Sequence, residues 1–181
     1  MRKVIGSAML VTVLATAPTL ASAQRRPAAR AAAPRSQQHP SFGVQLDWGS
    51  DPNFGIGGRG VFPLQSLFPK TPLDGIVSFD YFFPGNSVKY WEINGNVAYR
   101  FVVPRSSSLA PYAGGGLNIA HASFSTTVGT TTVSGSDTKA GLNLLGGTTF
   151  RVKGSNLIPF AEARGEIGGG KTFILTGGVR F

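Results

Sequence analysis

The feature that most restricts this chain is its last eleven residues, Lys171-Thr-Phe-Ile-Leu-Thr-Gly-Gly-Val-Arg-Phe181. In an extended strand, successive side chains point to opposite faces. Phe173, Leu175, Gly177, Val179 and Phe181 then share one face, and Thr172, Ile174, Thr176, Gly178 and Arg180 the other. An apolar face that ends on an aromatic, backed by a largely polar face with a charge, suits a soluble core poorly. It suits a strand with hydrocarbon outside and a polar lumen inside. The pattern reads as the closing strand of a barrel that crosses a membrane.

The same parity recurs upstream. Strand-like segments separated by Gly, Pro, Ser and Asn clusters fall at about 42–48, 53–62, 73–83, 88–101, 109–122, 138–152, 157–168 and 172–181. Phe42, Val44, Leu46 and Trp48 oppose Gln45 and Asp47; Phe54, Ile56 and Phe62 oppose Arg59. Leu73, Val77, Phe79, Tyr81 and Phe83 oppose Asp74, Ser78 and Asp80. Trp91, Ile93, Val97, Tyr99 and Phe101 oppose Glu92, Asn94, Asn96 and Arg100. Leu109, Ala113, Leu117 and Ile119 oppose Tyr112 and Asn118. Leu142, Leu144, Thr148 and Phe150 oppose Lys139, Asn143 and Arg151. Leu157, Ala161, Ala163 and Ile167 oppose Glu162, Arg164 and Glu166. Lys89 breaks the pattern, but at a strand end where it can reach water.

These assignments give an all-β fold: an eight-stranded antiparallel transmembrane β-barrel with a filled polar lumen. Eight strands leave an interior only wide enough for side chains. The expected lumen sets Asp47, Asp74, Asp80, Glu92, Glu162 and Glu166 against Arg59, Arg100, Lys139, Arg151, Arg164 and Arg180, acids balancing bases in a dry ion-pair network. Two aromatic belts are expected at the rims. Phe42, Phe62, Phe101, Phe150 and Phe181 form one, and Trp48, Phe54, Tyr81, Phe83, Trp91 and Phe173 the other.

Composition removes competing readings. The net charge of +9 resembles a nucleic-acid signal, but six of the basic residues precede Phe42. From Phe42 onward eleven basic residues face eight acidic ones, so no nucleic-acid partner is expected. There is no cysteine for disulfide or thiolate chemistry, and two histidines are too few for a His-built metal site. No cofactor is expected. No window supplies the apolar run of a membrane helix, so any crossing must use a closed sheet.

Ahead of the barrel domain at 42–181, Met1–Ala23 has a basic start, an apolar stretch and Ala21-Ser22-Ala23 where a signal peptidase cuts. It reads as a cleaved export signal, with the mature chain beginning at Gln24. Residues 24–41, rich in Ala, Pro and Arg, read as a disordered spacer that cannot bury enough apolar surface to order.

Ala110-Pro-Tyr-Ala-Gly-Gly-Gly-Leu-Asn118, Ile158-Pro-Phe-Ala-Glu-Ala-Arg164 and the closing Thr176-Gly-Gly-Val-Arg-Phe181 give the region 42–181 a resemblance to a known family. It resembles the outer-membrane protein beta-barrel family, the small OmpA-like and OmpX-like eight-stranded barrels of Gram-negative bacteria. The resemblance specifies architecture and implies residence in the outer membrane among its lipids; the role expected there is structural or surface-interacting, without catalysis. The resemblance also implies that Phe181 is read by the barrel-insertion machinery. A monomer is the expectation. Both termini would face the periplasm, with 49–52, 84–87, 123–137 and 169–171 outside. The run 123–137 is either a long loop or a prolongation of strands five and six.

Two constellations could carry chemistry instead. Gly55-Ile-Gly57-Gly-Arg-Gly60 matches the dinucleotide fingerprint, but it lies inside a strand with no helix after it. His121 and Ser123, two apart on a strand, point the same way as a base–hydroxyl pair would. Outer-membrane lipid A deacylases resemble this arrangement, which makes a lipid A-modifying enzyme the alternative function. The asparagine that follows the serine in those enzymes is Phe124 here, and no acid is evident to orient His121.

Overall fold

The computed structural model describes residues 39–50, 54–85, 88–104, 106–168 and 172–181. The leader and the spacer as far as residue 38 lie outside the described residues. Eight strands run in order: β1 (Ser41–Gly49), β2 (Phe54–Pro63), β3 (Leu73–Phe82), β4 (Val88–Arg100), β5 (Leu109–Val128), β6 (Thr131–Phe150), β7 (Ile158–Ile167) and β8 (Thr172–Arg180). Each pairs antiparallel with the next, and β8 pairs back onto β1 to close the barrel. Closure removes the open edges that would otherwise leave backbone N–H and C=O groups unpaired. The seam holds to the last residue. Phe42 donates its N–H to the Phe181 carbonyl at 3.2 Å, and Phe181 donates back to Phe42 at 2.8 Å.

The alternation fixes which side faces where. Along β1, residues from Ser41 to Gly49 alternate strictly between buried and exposed, with Phe42, Val44, Leu46 and Trp48 outside. Outside, too, lie Phe54, Ile56, Val77, Phe79, Ile93, Val97, Leu117, Ile119, Leu142, Leu144, Phe173 and Leu175. Inside lie Asp47, Arg59, Asp80, Glu92, Asn94, Glu162, Arg164 and Glu166. An apolar wall around a charged core is the reverse of a soluble barrel.

The interior also has an apolar part, of which alternation places Tyr112 and Ile174 inside. Val61, Ile76, Ala98, Tyr112 and Leu145 form a packed belt across the lumen, and Phe82, Phe160 and Ile174 are buried there as well. Each sits on the inward parity of its strand.

The outer rings gather as expected at the strand ends. Phe42 meets Phe62 edge-on at 6.0 Å near the termini. Phe54, Phe83 and Tyr81 form a chain of ring contacts at the far end, where Trp91 stacks on Phe79 at 6.1 Å.

At that far end β5 and β6 outrun their neighbours. Pairing to β4 ends at Val88↔Phe124 and pairing to β7 at Leu142↔Ile167. Beyond these points β5 and β6 pair, among the described residues, with each other alone, up to Val128↔Thr131. The run 123–137 is therefore a prolonged hairpin. Its tip is the two-residue turn that such ribbons favour, with Gly129 at φ +62° where a side chain would be strained. At the terminal end, the long connection after Pro63 folds on itself, the Leu64 carbonyl accepting the N–H groups of Leu67 at 3.0 Å and Phe68 at 2.8 Å.

Candidate functional site

The lumen is the only part of the barrel wall where charge converges among the described residues, and it divides into three clusters. The largest is built around Arg164, whose side chain is 0% exposed. It approaches Glu92 at 3.0 Å and Asp80 at 3.5 Å through Nη2, and donates from Nε to Glu166 at 3.0 Å. Because inward positions on one strand are two apart, Arg164 and Glu166 stand one above the other on β7 while β3 and β4 bring Asp80 and Glu92 across the lumen. Each carboxylate has further donors. Tyr90 Oη donates to Glu92 at 2.7 Å, and Asn118 Nδ2 to Glu166 at 3.1 Å. Ser78 Oγ and Asn94 Nδ2 both donate to Asp80 at 2.9 Å, and Gln45 Nε2 at 2.7 Å. Thr176 Oγ1 donates to Asp47 at 2.6 Å. Asn143 Nδ2 ties in Asn94 at 2.8 Å and Asn96 at 2.9 Å. Seven of the eight strands thus contribute to one continuous network.

The second cluster supplies the missing strand. Arg59 of β2 grips Glu162 of β7 with two parallel bonds, at 3.0 and 2.6 Å, the bidentate arrangement that suits a guanidinium best. Tyr112 Oη donates to the same carboxylate at 2.8 Å. The ring of Phe160 lies under Arg59, 4.4 Å from ring centre to guanidinium carbon. Tyr112 and Phe160 each follow a proline on a strand start, and glycines make room for both. A Cβ on Gly147 would stand 2.6 Å from Tyr112 Oη, and one on Gly178 2.6 Å from the Phe160 ring.

The third cluster sits at the terminal end. Arg100 lies 2.9 Å from Asp74, and Arg180 donates to Ser41 Oγ at 3.3 Å.

Two of the expected lumen residues are elsewhere. Lys139 is on the inward parity but above the level where β7 pairs, and its partner is Asp137 at 3.4 Å; both side chains are more than half exposed. Arg151 follows the end of β6, is exposed, and donates to the Ser107 carbonyl at 3.2 Å. The interior therefore holds six carboxylates against four guanidiniums, Arg59, Arg100, Arg164 and Arg180. The expected balance does not hold.

The glycine run on β2 is explained by the same packing. A Cβ on Gly57 would collide with the Asp80 carboxylate, and one on Gly55 would meet the Phe82 ring at 2.7 Å. These residues accommodate lumen neighbours and open no helix. His121 stacks on Trp91 with ring centres 5.2 Å apart, and its Nδ1 shares a 2.7 Å hydrogen bond with Thr138 Oγ1. The contacts of His121 are a ring and a hydroxyl, not the carboxylate a nucleophile's base would need.

No family model matches the chain, and no curated protein matches it. Solved structures do. The N-terminal beta-barrel domain of Pseudomonas aeruginosa OprF superposes with a TM-score of 0.56 at 18% identity, over 78% of this chain and 96% of that one. Neisserial surface protein A superposes with a TM-score of 0.57 at 19% identity, over 78% of this chain and 94% of that one. At such identities the likeness is one of architecture, and the architecture of this chain is that of the small eight-stranded, OmpA-like and OmpX-like outer-membrane barrels.

Proposed function

We propose that the chain is exported to the outer membrane and acts there as a structural or surface-interaction protein, with neither catalysis nor an open pore. The observation that carries this reading is the combination of an apolar outer wall with a lumen crossed by the Arg164 network and by the Val61–Leu145 belt. Ions cannot pass side chains packed at zero exposure, and Glu162, sealed at 0% side-chain exposure against Arg59, has no route for a substrate that an acid–base pair with Glu166 would need. The termini lie on the periplasmic side, and the β5–β6 hairpin stands outside the cell as the surface available to partners. The protein is a monomer whose only constant neighbours are membrane lipids.

Phe181 serves as the recognition residue for barrel insertion. Its side chain is exposed on the outer wall while its backbone is locked to Phe42. Its removal should lower the amount of assembled protein in cells, while the purified chain still refolds into detergent. The test of the function itself is conductance. The mature protein in planar lipid bilayers should give no discrete current steps; stable unitary steps would contradict the closed lumen. Mass analysis of the mature protein from an outer-membrane fraction should place its first residue at Gln24.

A further inference from the structure

Below the apolar belt, at the end of the lumen where Ser41 and Arg180 lie, is a cavity of about 260 Å³ bordered by the third cluster. Asp74, Arg100, Arg151 and Arg180 line it, with Tyr112 and Thr149. Arg100 and Arg180 thus share one carboxylate, Asp74. Asp74 stands 2.9 Å from Arg100 Nε, but the N–H is not aimed at it, so Nε and Nη2 of Arg100 are both buried without an acceptor. Arg180 is 7% exposed. It spends one N–H on Ser41 Oγ at 3.3 Å, leans toward the Phe160 ring at 6.0 Å, and has Asp74, Arg59 and Arg100 as its charged neighbours. Buried guanidinium donors with an excess of positive charge are what a tetrahedral oxyanion requires, and a planar fork fits it two bonds at a time.

We propose that this cavity binds a phosphate group entering from the terminal end of the barrel. The inner wall is apolar, formed by the buried Val61, Ile76 and Ala98. A phosphate carried on a short apolar stem therefore fits as well as the free ion. The site depends on the barrel fold alone, so its failure would leave the proposed function standing.

Phosphorus NMR titration of the folded mature chain in detergent, at fixed ionic strength in chloride, decides it with two probes, inorganic phosphate and monobutyl phosphate. Saturable binding of either is expected. A tighter ester assigns the stem to the apolar wall, and equal affinities assign the free ion. Arg180→Gln should weaken binding about tenfold, the loss of one charge-assisted contact. Asp74→Asn, which removes the only competing carboxylate, should tighten it severalfold; this arm decides the matter even where Arg180→Gln does not fold. No saturation with either probe, or unchanged affinity in Asp74→Asn, overturns the proposal.

Discussion

Arg164 is the residue on which most of the interior depends, because it is the one guanidinium in reach of Asp80, Glu92 and Glu166. Arg164→Ala strands three buried carboxylates and should cost about 3–5 kcal/mol, as breaking a buried pair does. Lys139→Ala removes an exposed pair worth about 0–1 kcal/mol. Denaturant titration of both variants in micelles checks the contrast, and equal losses would mean the network is drawn wrongly. Neighbouring glycines offer a second test. Gly178→Val drives a side chain into the Phe160 ring and the Val44 carbonyl, an overpacking cost of about 1–3 kcal/mol or more. Gly177→Ala points outward where nothing lies within 4 Å and should be neutral or mildly stabilising. The face of nearly every such residue was legible from its parity. Its height along the strand was not, which is why Lys139 and Arg151 were expected in the lumen and lie beyond it. The inward apolar residues obey the same parity, which puts Ile174 on the inner face, but Val61, Ile76 and Leu145 carry no charge to mark them and their packing into one belt was not legible.

Among the elements, β5 and β6 differ most from their sequence outline, at 20 residues each. The Ser/Thr-rich run carries little large apolar surface, so local pattern could not choose between loop and ribbon. What decides it is the unbroken register from Leu109↔Phe150 to Val128↔Thr131. The ribbon above Phe124↔Gly135 pairs with no other strand among the described residues, so cutting it there and closing with Asn-Gly, a dipeptide suited to the two-residue turn, should change barrel stability by only about 0.5 kcal/mol or less. The temperature of the detergent gel shift reads this directly. A shortened chain that no longer folds would show that the hairpin guides assembly. The seam strands behave differently, since β1 and β8 carry Asp47 and Thr176 into the main network as well as closing the wall.

For the molecule as a whole, the account rests on an inverted barrel, with fat-soluble side chains outside and ion pairs inside. Both tryptophans of the chain report on that claim, because both lie on the outward parity near the rim away from the termini, with Trp48 72% exposed and Trp91 stacked against His121 and Phe79. The most direct measurement is quenching of their fluorescence after the mature protein is folded into bilayers containing phospholipids brominated on their chains. Strong quenching by the brominated chains, with little effect of iodide in the water, is the predicted result. Fluorescence that brominated lipid leaves untouched, from protein that remains a monomer in water without detergent, would contradict the account.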